Sequence, residues 1–376
     1  MIDSATINKL GYWLVDGKHK FINKNVALEH CTKNKTKDIR YCLEEDRFGK
    51  INWHNEPTLS LTELYKLRAQ QIRDNYDHVV LTYSGGSDST NILHSFIANG
   101  IKPNEVISFM LEGKDFSNEG TTFNKEITFN QNAIKQYVLS NNIKYSTVNI
   151  SDFYNSIFDN EHWCYESGVN RAYITARAHA AKLDRFKKLV DSGKKCCIVY
   201  GLEKPSISVD KNNNFYSFFL DIPLQQYNLN EMYNNSYNGL TLERFYVSGD
   251  LPELTIKQSH IVANYYQQQF QKESKKMLQL GFEYDFRDYK EIVIDLLYSH
   301  SFDQKKCFTI GKSNYLAGLR DDWLVSLSNN DRRKMNVFNG WTAISKNIDK
   351  SFFNKNNWQH DTVGCISTSY YLNKKI

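Results

Sequence analysis

The 376-residue sequence contains no apolar run near the ~20 residues needed to cross a bilayer. Its first residues, MIDSATINKLGYW, lack the charged-then-apolar layout of a signal peptide. A membrane-spanning or exported chain is therefore not expected. The seven cysteines, Cys31, Cys42, Cys164, Cys196, Cys197, Cys307 and Cys365, include no C-x-x-C pair. That spacing offers no zinc site, and the odd count fits reduced thiols in a cytoplasmic setting. Charge of one sign does not dominate either: 47 Lys and Arg stand against 42 Asp and Glu, a net of +5 spread along the chain. Such a bias is compatible with a phosphate-bearing ligand but makes no case for a DNA-binding surface. Internal repeats and long low-complexity linkers are missing too. Hydrophobic residues at 41% and aromatics at 14% exclude a disordered chain and supply a substantial core, for one large domain with extensions or two modest ones.

Local patterns divide the chain into three parts. In residues 1–75, GYWLVDGKHKFI reads as a hairpin with Asp16-Gly17 as its two-residue turn. A helix follows, capped by Ser60 or Thr62, with Leu61, Leu64, Leu67 and Ile72 at helical spacing. In residues 76–285, strands and helices alternate. HVVLTY, EVISFML, KYSTVNI and KKCCIVYG are the strands, and Asp88–Asn99, NKEITFNQNAIKQYVLSNN and ITARAHAAKLDRFKKLVDSG the helices. This rhythm predicts an α/β fold with a doubly wound, mostly parallel sheet and right-handed crossovers. Beyond Asp221 the pattern turns helical and aromatic, with one long helix over LPELTIKQSHIVANYYQQQFQKESKKMLQLG. Residues 286–376 show no clean period and are read as an accessory region.

The stretch LTYSGGSDSTNILHSF, Leu81 to Phe96, places two glycines and a set of hydroxyls between a strand and a helix. In a parallel sheet the first strand–helix turn is the favoured phosphate site. Gly85 and Gly86 have no Cβ, so the backbone can turn sharply and aim N–H groups into one concavity. The helix adds its positive N-terminal end. Ser84, Ser87, Ser89 and Thr90 surround the turn with hydroxyls, and Asp88 beside an anion site makes sense if Mg²⁺ lies between them. Two other phosphate loops, G-x-x-x-x-G-K-[ST] and G-x-G-x-x-G, are absent.

SGGSDS resembles the PP-loop of the N-type ATP pyrophosphatases, whose HUP-like domain occurs in asparagine-synthetase-like and PAPS-reductase-like enzymes. The resemblance covers about Leu81 to Gly201, with a weaker continuation to Tyr266. It implies ATP and Mg²⁺ as cofactors, the β,γ-pyrophosphate held by Ser84, Gly85, Gly86, Ser87, Ser89 and Thr90, and metal contact through Asp88. A substrate oxygen attacks the α-phosphorus, pyrophosphate leaves, and the adenylated carbon then meets ammonia, an amine or sulfide. CCIVYGLEKPSI sets Gly201, Glu203 and Lys204 after a later strand. The resemblance makes Gly201 and Lys204 phosphate contacts, and Glu203 either a metal contact or a solvated turn residue. LPELTIKQSHIV resembles the run that starts a late helix in this family, which would turn Lys257 towards pyrophosphate or adenylate, with His260 on the same face. Phe109, Met110 and Leu111 are candidates to flank adenine, or simply core residues. His94 reads as packing; Arg171, Arg177 and His179 read as a charged helix face, from which Arg177 could reach an anion.

The function so implied is cleavage of ATP to AMP and pyrophosphate to adenylate a carbonyl or carboxylate, followed by amide or amidine formation. No amino-terminal cysteine nucleophile is present, Cys31 being the first cysteine. Nitrogen would come from free ammonia, a substrate amine or a separate ammonia-donating subunit. The second substrate, a small molecule or a nucleic acid, and the oligomeric state stay open. Two alternatives remain: a thiolating or PAPS-reductase-like enzyme using Cys164 or Cys365, and a non-catalytic nucleotide sensor or nucleic-acid-associated protein whose aromatics stack bases.

Overall fold

A computed structural model of the chain describes residues 9, 11–112, 125–159, 183–201, 204–221, 240–273, 293, 295–298, 327–353 and 364–375. Glu203, Cys164, Arg171, Arg177 and His179 lie outside the described residues.

The chain opens with an antiparallel sheet. Strand β1, Tyr12–Val15, pairs with β2, His19–Phe21, and with β3, Ile39–Cys42. Asp16 and Gly17 turn the hairpin as expected, both with positive φ, 50° and 65°, but Val15 pairs with His19, so Lys18 joins them in a three-residue loop instead of the expected two-residue one. Helix α1, Lys24–Asn34, packs on this sheet behind an Asn23 cap. Helix α2, Leu61–Asn75, starts in a full capping box, with the Ser60 hydroxyl on the Glu63 N–H and the Glu63 carboxylate on the Ser60 N–H. Leu64, Tyr65, Ala69 and Ile72 form its buried face.

The central sheet is parallel throughout. Strands β4, His78–Thr82; β5, Glu105–Met110; β6, Lys144–Asn149; and β7, Cys196–Tyr200, are as the sequence predicts within a residue or two. Helices α3, Ser87–Ile97, and α4, Lys125–Ser140, connect the first three of these, and α5, Asp184–Asp191, delivers the chain to β7. β4 and β7 read as continuous apolar runs because both sheet faces are covered. β6, at the edge, alternates exposed and half-buried positions.

Between β7 and Asp221 the sequence reading assigns no element, and beyond Asp221 it expects helices; the structure adds strands in both stretches. β8, Ser206–Val209, and β9, Asn214–Phe218, form an antiparallel hairpin. Then β10, Leu240–Arg244, joins β7 in parallel as the fifth strand of the central sheet. The final order is β10-β7-β4-β5-β6. Helix α6, Pro252–Glu273, follows, as the long-helix reading predicts. In the C-terminal region, helix α7, Arg332–Asn347, contacts α1, and β11, Tyr370–Lys375, pairs with β9. β10 escapes the sequence reading because LTLER has only two apolar residues, whereas β4 and β7, equally short, are mainly apolar. β8, SISV, alternates but is only four residues long, and β9 and β11 mix serine, asparagines and lysines with apolar positions without clean alternation. No helix among the described residues is long and apolar enough to cross a membrane.

A buried ion pair ties the two extensions to the centre. Asp221 sits 2.9 Å from the Lys24 ammonium, both side chains 1% exposed. The same carboxylate accepts from Trp13 Nε1 at 2.8 Å and from the Cys365 N–H at 2.7 Å. Burial raises the Asp221 pKa, and Lys24, Trp13 and the Cys365 N–H act against that rise. Lys24→Met removes the only charge opposing Asp221 among these donors, and stability in urea should fall by about 3–5 kcal/mol, as for other broken buried pairs. Adding Asp221→Leu should recover part of that loss.

Candidate functional site

The sheet order reverses between β4 and β7, so successive strands are laid down on opposite sides of this pair. The backbone shows where they part. Their pairing ends at Leu81 opposite Val199, closed by the Thr82 hydroxyl on the Val199 carbonyl at 3.0 Å. Tyr83 N–H then bonds to Ile107 of β5, while the Tyr200 carbonyl accepts from Phe245 N–H beyond β10. Each strand therefore leans towards its outer neighbour, opening a crevice at the carboxyl edge, where ligands of such sheets bind.

The glycine turn lies at this crevice. Gly85 adopts φ +81°, which a side chain would strain. Gly86 caps α3 without any side-chain hydrogen bond, whereas α1, α2 and α7 are capped by Asn23, Ser60 and Asp331. The hydroxyls mostly brace the turn. Ser89 Oγ donates to the Gly86 carbonyl at 3.0 Å and lies 3.3 Å from Ser84 Oγ, and Thr90 Oγ1 donates to the Tyr83 hydroxyl at 3.2 Å. Ser87, Ser89 and Thr90 are buried in the first turn of the helix.

From the β7 side come Gly201 and Lys204. A Cβ on Gly201 would lie 3.0 Å from Ile92 Cδ1 and 3.1 Å from Asp88 Cβ, so glycine is what lets the strand end close on α3. Lys204 Nζ is 2.5 Å from Asp88 Oδ1, the two side chains being 13% and 25% exposed. Its ammonium also lies over the rings of Tyr246 and Tyr298, 4.7 and 5.0 Å from their centroids. Tyr298 hydrogen-bonds to Asp88 Oδ1, and the Tyr246 hydroxyl donates to the Asp88 carbonyl at 2.8 Å. Asn91 Nδ2 donates to the Tyr246 hydroxyl at 3.1 Å. Burial, then neighbouring negative charge and phenols, pushes both tyrosines well above the usual phenol range, so they remain neutral donors.

The structure thus brings Ser84 to Thr90, Asp88, Gly201 and Lys204 together. Lys257 is placed elsewhere: its ammonium is 2.8 Å from Glu56 Oε1 and 3.0 Å from the Pro57 carbonyl, contacts to the N-terminal extension. His260 is buried beside it, Nε2 2.8 Å from the Trp53 carbonyl. Phe109 and Leu111 are buried, while Met110, at the end of β5, is half-exposed. His94 packs on Tyr137, and its burial depresses the imidazole pKa. Cys365 is buried against Asp221; burial and that charge push its thiol up, away from the thiolate that sulfur chemistry needs. Tyr246 and Tyr298 carry no signal in the sequence that separates them from the many core aromatics.

Among the described residues no cluster of three or more His, Cys, Asp or Glu side chains is assembled to hold a metal. Among the described residues one carboxylate, Asp88, faces the turn. That set does not fit an all-protein metal cage, but it fits Mg²⁺ arriving on a nucleotide, since Mg²⁺ is commonly held by one or two carboxylates plus substrate phosphates.

No protein-family profile and no curated protein matches the chain. Solved structures with some likeness include NMN synthetase from Francisella tularensis, 11% identical with a TM-score of 0.28, over 77% of this chain and 96% of that one. An NH3-dependent NAD synthetase from Campylobacter jejuni subsp. jejuni NCTC 11168, in complex with nitrate, is 14% identical with a TM-score of 0.28, over 69% and 100%. NAD+ synthetase from Burkholderia pseudomallei is 10% identical with a TM-score of 0.26, over 78% and 91%. None of these likenesses bears on what this chain does.

Gly201→Ala tests the close approach. The new methyl must displace Asp88 and Ile92 by a few tenths of an ångström, and a stability loss of about 1–3 kcal/mol is expected in urea unfolding.

Proposed function

We propose that the chain is an ATP-using ligase of the PP-loop type, cleaving ATP to AMP and pyrophosphate to activate a carbonyl or carboxylate for carbon–nitrogen bond formation. The observation that carries this reading is the α3 N-terminus. It is free of side-chain caps, follows a left-handed Gly85, opens on the crevice at the strand reversal, and has Asp88 and Lys204 beside it. The positive end of the helix dipole suits a polyphosphate, and the glycines let it approach the backbone.

In this reading the backbone of the turn holds the pyrophosphate portion, and Ser84 and Ser89 keep the turn in shape. Lys204 supplies the positive charge that meets the phosphates. It stands at the turn itself, whereas Lys257 is bound to Glu56 and serves the packing of α6 on the N-terminal extension. Asp88 would hold Mg²⁺ brought with the nucleotide, with Glu203 as a second carboxylate. That ion would neutralise charge on the departing pyrophosphate. Most of the rate enhancement would come from positioning and preorganised charge. Met110, half-exposed at the end of β5, would meet the base. The nitrogen donor would be ammonia, a substrate amine or a separate subunit, and the protein would work in the cytoplasm.

The test is product analysis of ATP turnover with Mg²⁺ and ammonia against pools of carboxylates, nucleosides and tRNA. AMP and pyrophosphate should form with one pool, and Asp88→Ala should slow that reaction by about 10²-fold or more, the scale for losing a preorganised charge-stabilising group. ADP and phosphate as products would overturn the assignment.

A further inference from the structure

Tyr298 belongs to the accessory part of the chain, yet it reaches the glycine turn. Its backbone neighbour Leu297 is held by the Tyr65 hydroxyl, which donates to the Leu297 carbonyl at 2.7 Å, so α2 fixes the segment from behind. Tyr298 is 2% exposed and stacks on Tyr246 with 5.8 Å between centroids. The two rings form one aromatic surface, and the Lys204 ammonium lies on it. Asp88 Oδ1 receives both Lys204 and Tyr298. The carboxylate assigned to the cation of a nucleotide is therefore occupied by the chain's own cation.

Resting on the nucleotide reading above, we propose that Tyr298 is a positioning residue that, with Tyr246, retains Lys204 as it transfers from Asp88 to the phosphates of an arriving nucleotide. Lys204 then plays two opposed parts. Without nucleotide it neutralises Asp88 and competes with a divalent cation. With nucleotide it moves to the phosphates, leaving Asp88 to the cation. Cation and nucleotide consequently bind together far better than either binds alone. The aromatic surface makes the transfer local: the ammonium keeps its contact with the rings while changing its anion. A residue from beyond position 286 thereby becomes part of the nucleotide site.

Binding rather than turnover distinguishes this from a structural role. Mn²⁺ binding to the full-length protein would be followed by electron paramagnetic resonance, alone and with α,β-methylene-ATP, and analogue affinity by calorimetry. In Lys204→Met, Mn²⁺ alone should bind about tenfold more tightly and the analogue about tenfold more weakly, the scale of one charge-assisted contact. Tyr298→Phe keeps the ring but frees Asp88 of one donor, and should tighten Mn²⁺ alone by about threefold with analogue affinity nearly unchanged. Tyr298→Ala, which also loses the ring, should weaken the analogue. If Lys204→Met does not fold by circular dichroism, the near-isosteric Tyr298→Phe carries the comparison. Affinities that shift in the same direction in Lys204→Met, or tyrosine variants indistinguishable from wild type, would overturn the transfer. A wild-type protein that binds no analogue would instead overturn the nucleotide reading itself.

Discussion

The parallel sheet with its order reversed between β4 and β7 is the constraint from which the site follows. Two adjacent strands that run the same way, yet send their chains to opposite sides, cannot stay paired past their carboxyl ends. Thr82 and Val199 make the last contact, and beyond them the two backbones separate. What can enter the gap is then limited. One wall is a helix N-terminus, which favours negative charge. The other is a strand end brought so near that only glycine fits at position 201. Asp88 and Lys204 meet across that gap as a partly solvated pair. Their contact adds little to folding and much to the electrical character of the edge.

The extensions depend on a different kind of contact. Asp221 is buried fully and receives a lysine, an indole and a backbone amide from three separate stretches of chain. Such a carboxylate is costly to desolvate and tolerable only when all of its donors are present. Residues 1–75 and the C-terminal region are thus not independent appendages. A second polar joint, Arg68 with Glu243 at 2.7 Å, ties α2 to β10 in the same manner, with Lys9 and Tyr76 completing the carboxylate.

The strand–turn–helix around Gly85 was legible because three signals coincide there: a β-branched apolar run, paired glycines and a helix rich in hydroxyls at its start. The Asp16-Gly17 hairpin and the Ser60 cap were legible for the same reason, as local chemistry read from neighbours in sequence. β10 was not, since LTLER carries only two apolar residues and the pairing that makes it a strand comes from β7. β8–β9 is a local hairpin, but its partner β11 pairs with β9 from far along the chain, Tyr370 opposite Ser217, which no local pattern shows. Lys204 was visible as a charge after a strand, but its company was not: Tyr246 and Tyr298 are two of 24 tyrosines, distinguished only by where folding puts them. Lys257 shows the converse, a residue in a promising run whose charge the fold directs to Glu56.

The antiparallel sheet β1–β3 also has a consequence for folding kinetics. Tyr41 of β3 donates its N–H to the Ile366 carbonyl, Arg40 reaches Thr368, and Trp13 waits for Asp221. Two of these contacts, Trp13 to Asp221 and Arg40 to Thr368, span 208 and 328 residues. α1 can cover the sheet from nearby sequence, but its remaining partners arrive only after very long loops close. The small sheet therefore weighs on the folding rate of the whole molecule, through contact order, more than its size suggests.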